Sequence, residues 1–306
     1  MNFQQLRIVR EAVRCNFNLT DVAAALYTSQ SGVSKHIKDL EDELGVELFV
    51  RRGKRLLGLT EPGRELTGVV ERILLDAANV RRLAQDFAQS SRGELTVATT
   101  HTQARYALPA AVAAFKKQFP GVRLMLHQGK PTELAQMLLA GEADIAIATE
   151  SLLGSPDIVA YPYYSWSHGL VVPEGHPLTE AQPLTLGAIA EWPIITYHEG
   201  FTGRSDIDKR FASAGLSPDI VMSALDADVI KTYVELGLGV GIIASVAFIP
   251  ERDKGLRLID CPALFDEQTS LIAVRRGRYL RDYAYRFIEL CAPTLTEKAV
   301  RGDVAA

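Results

Sequence analysis

Seven apolar residues, Leu66, Val70, Ile73, Ala77, Val80, Ala84 and Phe87, recur at alternating spacings of 4 and 3. On a helix this draws a single apolar line along one side, the a/d seam of three heptads, and such a line must be covered by another helix. The pattern starts at Thr60, tolerates Pro62 in its first turn, and runs to about Gln89. No second helix of matching length stands nearby in the sequence, so the seam predicts dimerisation, with packing inside its own domain as the alternative. A helix this long also divides the chain, because the hydrophobic period differs on its two sides.

Before it the period is helical. Phe3, Leu6, Ile8, Val9, Val13 and Phe17 form one stripe, and Asn18 or Thr20 can cap a second helix through Val22, Ala23 and Leu26. Tyr27 and Thr28 lead into Ser29, an N-cap for a third helix that Gly45 ends. In that helix Val33, Ile37, Leu40 and Leu44 must face a core, which turns Gln30, Ser31, Ser34, Lys35 and Lys38 outward. ELFVRRGKRLLGLT then alternates apolar and basic residues around Gly53, as a two-stranded wing does, and sets Arg51, Arg52, Lys54 and Arg55 within five positions. A helix-turn-helix puts the first turns of its second helix in the major groove, where Gln reads adenine, Lys reaches guanine and Ser serves either base. Solvation alone would account for a polar helix face. The basic wing beside it, placed for phosphates or a minor groove, makes double-stranded promoter DNA the expected partner.

Beyond SSRG (90–93), a linker or hinge composition, strands alternate with helices: ELTVATT, a long helix from TQARYALP, VRLMLHQG, TELAQMLLAG, ADIAIAT, HGLVV, PIITY, a helix from about Ser205, DIVMSAL and DVIKTYVELG. This is an α/β signature. Charge divides at the same place: residues 1–92 carry 14 basic and 12 acidic side chains, and the remainder 19 and 25, giving +2 and −6. Thr99, Thr100, His101, Thr102 and Gln103 fall where a strand ends and a helix begins, a place with free backbone N–H groups for an anion. Thr149 closes ADIAIAT and Thr202 precedes a helix after PIITYHEG. Each therefore stands at the carboxyl end of a strand, where α/β sheets hold ligands, although any single Thr is equally explained as an N-cap. Glu150 could supply an acceptor. Tyr163, Tyr164, Trp166 and His168 could wall the cleft or simply pack a core, and Arg204 is a possible charge partner beside Thr202.

Other classes find less support. A 306-residue chain that is 47% apolar and 23% charged is too apolar for disorder and long enough for two or three cores. Its longest uncharged apolar stretch, Leu236–Pro250, falls short of the roughly 18 residues of a membrane span, so no membrane partner is expected. The charged start MNFQQLRIVREAVR does not read as a secretory signal, which predicts a cytoplasmic protein. Cys15, Cys261 and Cys291 are far apart, with no CxxC or Cys/His pairing of metal spacing, so neither a disulfide framework nor a zinc site is supported and all three read as reduced thiols; no metal or cofactor is expected. GxSxG, HExxH and P-loop patterns are absent, and GLGVG (237–241) lacks the GxGxxG spacing, which argues against an enzyme. His101 could act as a base but reads better as a satisfied or solvent-facing side chain.

The run VAAALYTSQSGVSKHIKDLEDELGVELFVRRGKRLLGLTEPG closely resembles the winged helix-turn-helix of LysR-type transcriptional regulators. TTHTQARYALP, ADIAIATE and YHEGFTGRSDID resemble the effector domain of the members that govern sulfur assimilation and cysteine biosynthesis, and the similarity covers nearly all of residues 1–292. The resemblance implies an α+β multidomain protein: a winged helix-turn-helix (1–59), a linker and dimerisation helix (60–92), and a two-lobed α/β effector domain of periplasmic-binding-protein type (93–306). Lobe I is expected at about 93–162 and 268–292, and lobe II at about 163–267. It further implies that Thr100, Thr102, Gln103, Thr149 and Thr202 line a pocket for sulfate or an O- or N-acetylserine effector, with Tyr164, Trp166 and Arg204 as possible walls. A homodimer or homotetramer acting with RNA polymerase would follow. The alternative within the family is a regulator of sulfonate or sulfate-starvation genes that answers to adenylyl sulfate, and a solute receptor is disfavoured by the helix-turn-helix. The ending TEKAVRGDVAA resembles nothing informative.

Overall fold

The computed structural model describes residues 1–306 apart from Lys54, residues 89–91, Glu150, Gln182, Thr202 and Ala306. The expectations for Lys54, Glu150, Thr202 and the first two residues of SSRG thus lie outside the described residues. The chain forms two compact units, Met1–Ala88 and Gln89–Ala306.

The first unit opens with α1 (Phe3–Arg14), whose N-cap Asn2 takes the amides of Gln4 and Gln5 while the Gln5 side chain caps back. Helix α2 (Leu19–Ala25) is capped by Asn18 and α3 (Gln30–Leu44) by Ser29, and Gly45 ends α3 at φ +71°. Val33, Ile37 and Leu40 are fully buried against Ile8, Val9, Val22, Leu48 and Phe49. At about 1.5–3 kcal/mol for each large apolar side chain removed from water, this cluster fixes the helix faces. Leu44, expected in the same core, is 39% exposed, because the left-handed Gly45 turns the chain away at that point. Strands β1 (Phe49–Arg52) and β2 (Arg55–Leu59) pair antiparallel as the wing.

Helix α4 (Glu61–Ala88) corrects the reading of the seam. Val70 and Leu74 pack with Ile73 on Leu6 of α1, and Leu66 packs on the first core. The first half of the line is therefore covered inside the chain: α1, only 12 residues long, is helix enough to shield two turns. Val80 and Phe87 in the second half are 68% and 87% exposed.

The second unit contains two five-stranded sheets. In chain order its elements are β3 (Gly93–Thr99), a π-helical turn (Gln103–Ala107), α5 (Pro109–Gln118), β4 (Val122–Gln128), α6 (Pro131–Ala140), β5 (Ile145–Ala148), β6 (Ile158–Trp166), β7 (His168–Pro173), α7 (Leu186–Ala190), β8 (Ile194–Tyr197), α8 (Arg204–Ser213), β9 (Ile220–Ala224), α9 (Ala227–Glu235), β10 (Val240–Ala244), β11 (Leu256–Asp260), β12 (Gln268–Arg275), α10 (Asp282–Cys291) and α11 (Glu297–Ala305). The sheet orders are β4-β3-β5-β12-β6 and β9-β8-β10-β7-β11. Both run parallel, parallel, antiparallel, antiparallel across their four pairings, so the two lobes repeat one topology that the sequence does not display as a repeat.

Strand β6 belongs wholly to the first sheet, which moves the lobe boundary from the expected 162/163 to Ser167. Of the aromatic run that read as cleft or core, Tyr163, Tyr164 and Trp166 are the end of this strand, held along β12 from Gln268 onward, and His168 opens β7 in the second sheet. The long helix expected from Gln103 is also divided. The amide of Leu108 donates to the Gln103 carbonyl five residues back, and Pro109, which has no N–H, starts α5 afresh. The ending that resembled nothing folds back as α11, with Val300 and Val304 buried in the lobe I core beside Tyr285 and Ile288.

Candidate DNA-binding surface and effector pocket

On the first unit, Gln30, Ser31, Lys35 and Lys38 are exposed at the start and along one face of α3, with Ser34 half-buried between them. Arg52 and Arg55 are exposed and face each other across the wing. Arg51 has another task. Its Nη2 donates to Glu41 Oε2 at 2.6 Å, while Glu41 Oε1 accepts the amides of Leu48 (2.8 Å) and Phe49 (3.2 Å). A buried carboxylate in the recognition helix thus holds the wing, and Arg51 neutralises it; its place among the phosphate-contacting residues is secondary to this strut. One face of α3 and the approach to the wing line a cavity of about 600 Å³ in which Ser34, Lys38 and Arg51 stand beside Glu41, Asp42 and Glu47.

In the second unit the carboxyl ends of β3, β4, β8 and β9 meet around a pocket of about 370 Å³. Lobe I contributes Thr100, His101, Thr102, Gln128, Gly129, Lys130 and Glu133, and lobe II contributes Phe201, Leu225 and Asp226. The Lys130 ammonium stands 5.9 Å from the Phe201 ring centre, so one cation reaches across the lobes. Beside Thr102, the hydroxyl of Tyr197 accepts the amide of Ala244 at 3.0 Å; the side chain is completely buried, and burial pushes its ionisation far up, leaving a neutral phenol.

Gln103 and Thr149 sit deeper, around Ser270, which is fully buried. Ser270 Oγ accepts from Gln103 Nε2 at 2.8 Å and from Trp166 Nε1 at 3.1 Å, and lies 3.3 Å from Thr149 Oγ1. Tyr164 completes the set by donating to Gln103 Oε1 at 2.9 Å. With both acceptor positions of Ser270 taken, its own O–H is left to donate to a neighbouring hydroxyl. Of the expected effector residues among those described, Thr100 and Thr102 line the pocket, whereas Gln103 and Thr149 belong with Tyr164 and Trp166 to an interior network behind it. Gly203 follows Thr202 at φ +68°, and a Cβ there would meet the His168 ring at 2.7 Å, so the loop approaches the aromatic cluster as only glycine allows. Arg204 is held by its own helix and by β8: its Nε donates to Asp208 at 2.8 Å and its Nη1 to the Tyr197 carbonyl at 2.7 Å.

The turn between β3 and α5 meets lobe II through a cluster that the sequence reading missed. His101 Nε2 lies 3.3 Å from Asp228 Oδ2, Arg105 Nε donates to that oxygen at 3.2 Å, and the Tyr106 hydroxyl donates to Asp228 Oδ1 at 2.6 Å. Lys231 Nζ donates to the Tyr106 hydroxyl at 3.0 Å, to both Asp253 oxygens at 2.9 and 3.0 Å, and to the Ala247 carbonyl at 2.8 Å. Burial pushes the Asp228 carboxyl up, but the Tyr106 hydroxyl, Lys231 and Arg105 outweigh it and hold the group below its ordinary value. His101, Asp226 and Asp228 present ligand atoms within 4.8 Å of one another. Arg105 and Lys231 already supply the positive charge there, so the cluster suits a contact between lobes better than a cation. The missed residues share a signal only in retrospect: an acidic N-cap, Asp226, beside a helix start, with no periodicity to separate it from ordinary capping.

These features define a DNA-binding regulator with an attached small-molecule domain. The chain belongs to the LysR family of bacterial transcriptional regulators: residues 3–64 match the bacterial regulatory helix-turn-helix protein, lysR family, and residues 88–296 match the LysR substrate binding domain. It is a transcription regulator and not an enzyme. It is 60% identical to the HTH-type transcriptional regulator SsuR of Burkholderia cenocepacia, over 99% of this chain and 98% of that one. It is 56% identical to the regulator CysB of the same organism, over 98% and 96%. Among solved structures, the cofactor-binding domain of the Cbl transcriptional regulator superposes with a TM-score of 0.67 at 50% identity, covering 70% of this chain and 95% of that one.

Proposed function

We propose that this protein regulates sulfur assimilation and cysteine biosynthesis genes from the cytoplasm, answering to a small anionic sulfur-pathway effector, sulfate or O- or N-acetylserine. The observation that carries the reading is the pocket of about 370 Å³ at the strand ends, where Thr100, Thr102 and Lys130 offer donors to an anion across from Phe201 and Asp226. Its volume suits a small metabolite. Gln30, Ser31, Ser34, Lys35 and Lys38 read base edges while Arg52, Arg55 and, beyond the described residues, Lys54 contact phosphate. The exposed second half of α4, with Val80, Ala84 and Phe87, takes a second copy, so that two winged units reach half-sites related by a two-fold axis. Dimers pair further into tetramers and engage RNA polymerase.

An effector acts only through unequal affinity for two states of the protein. Closure of the lobes around the anion changes how the paired winged units meet the promoter. Calorimetric titration of the full chain with sulfate, thiosulfate, O-acetylserine, N-acetylserine and adenylyl sulfate tests this. Saturable binding of sulfate or an acetylserine, weakened by Thr100→Val or Thr102→Val, supports the reading; binding of none of them overturns it.

A further inference from the structure

The turn 101–107 has two working sides. One side and the residue before it, through Thr100, His101 and Thr102, lines the effector pocket. The other is fastened to lobe II, where the Tyr106 ring packs on the cluster containing Tyr197, Ile230 and Ala247. Its three polar groups, on His101, Arg105 and Tyr106, all converge on the single carboxylate of Asp228. Behind Asp228 stands Lys231, 5% exposed and enclosed by Tyr106, Asp253 and the Ala247 carbonyl. Such a chain resists gradual adjustment, because moving one member away leaves a charge or a hydroxyl buried without its partner. It is either engaged or broken. A further contact between the lobes at the pocket is the longer one between Lys130 and Phe201.

We propose that Asp228, Tyr106 and Lys231 form a clasp that sets the separation of the two lobes, and that the effector's hold on lobe II depends on this clasp without touching it. The proposal rests on the effector reading above. Asp228 and Tyr106 are then positioning residues: they hold the Thr100–Thr102 wall at the distance from Phe201 and Asp226 at which one small ligand meets both.

Two full-chain variants test it, Tyr106→Phe, which keeps the ring and removes only the hydroxyl, and Asp228→Asn. Amide hydrogen exchange without any ligand is expected to rise by about tenfold at residues 101–108 and 226–236 in each variant, with β8 and β10 unchanged. The double variant should be no faster than the faster single one, because both remove the same contact. Titration with sulfate and with O-acetylserine should show affinity reduced by about tenfold in each variant, the loss expected when the competent lobe separation becomes a minor population. Unchanged exchange in folded Tyr106→Phe overturns the clasp, and so do rates that multiply in the double variant. If Asp228→Asn fails to fold, Tyr106→Phe still decides. If neither compound binds the parent chain, the effector reading falls and the ligand-free exchange alone judges the clasp.

Discussion

Replacing Ser270 by alanine separates the two roles available to the residues around it. Ser270 is fully buried, and its oxygen is the acceptor for Gln103 Nε2 and Trp166 Nε1, both on side chains that are themselves nearly inaccessible. Alanine fills almost the same space but leaves two N–H groups enclosed without an acceptor. At about 1–3 kcal/mol for each buried donor left unsatisfied, and allowing for partial relaxation, the expected loss is about 2–4 kcal/mol. For a unit of about 200 residues that lowers the melting temperature by about 5–12 °C. Differential scanning calorimetry of the full chain, following the transition of the larger unit, measures it. Gln103→Met in the same background should recover part of the loss, giving a coupling of at least about 1 kcal/mol in the double-mutant cycle. A Ser270→Ala variant within about 0.5 kcal/mol of the parent would show that Gln103 and Trp166 find other acceptors or open to the pocket, and the interior network would have to be redrawn.

Other outcomes follow from the same geometry. Arg51→Ala should lower the stability of the first unit by about 1–2 kcal/mol by stripping the partner from a buried carboxylate, whereas Arg52→Ala and Arg55→Ala should each flatten the dependence of log Kd on log salt by about 0.9; promoter-fragment titrations in which Arg51→Ala changes the slope most would reverse the assignment. Burial pushes the Cys261 thiol up to about 11 and Cys291 up to about 12. At pH 8 their thiolate fractions are then on the order of 10⁻³ and 10⁻⁴, so iodoacetamide should label Cys15 first, as read by mass spectrometry, and equal rates would contradict the packing. Val300→Ala and Val304→Ala should each cost about 1–3 kcal/mol in thermal melts, and a chain ending before Glu297 that melts unchanged would deny α11 its place in the core. Because the Asp228 carboxyl is depressed in the fold, its contribution is complete above its unfolded value of about 4 and is lost as pH falls below that. The difference in melting temperature between the parent and Asp228→Asn should thus be level from pH 5.5 to 8 and shrink below pH 4; a difference that shrinks between pH 6 and 8 would refute the assignment.

The helix-turn-helix was legible because its signals are local. Ser29 and Gly45 punctuate α3 through their own side chain or lack of one, and the 4, 3 spacing of Val33, Ile37 and Leu40 needs no knowledge of what lies opposite. The seam on α4 was half legible: period showed which face is apolar, but that α1 shields Val70 is a fact of tertiary packing. In the effector domain Thr100 and Thr102 could be placed because strand ends are visible in sequence. Lys130, Glu133, Phe201 and Asp226 could not, since they become neighbours only when two lobes distant in the chain face each other. For Arg204 sequence showed a charge near the expected loop but not its partners, Asp208 and the Tyr197 carbonyl, which are fixed by a helix turn and a strand end.

Strand pairing gives lobe II an unusual independence. Gly169, at its beginning, is the registered neighbour of Asp260, at its end, and on the other side of the crossing Trp166 is paired with Gln268. The intervening stretch is thus an insertion with adjoining ends, spliced into a first lobe whose own sheet needs nothing from it to close. A homologous stretch could be transplanted here as a cassette, so half of the chemistry that recognises a metabolite can be exchanged by recombination while the half joined to the DNA-reading unit stays intact.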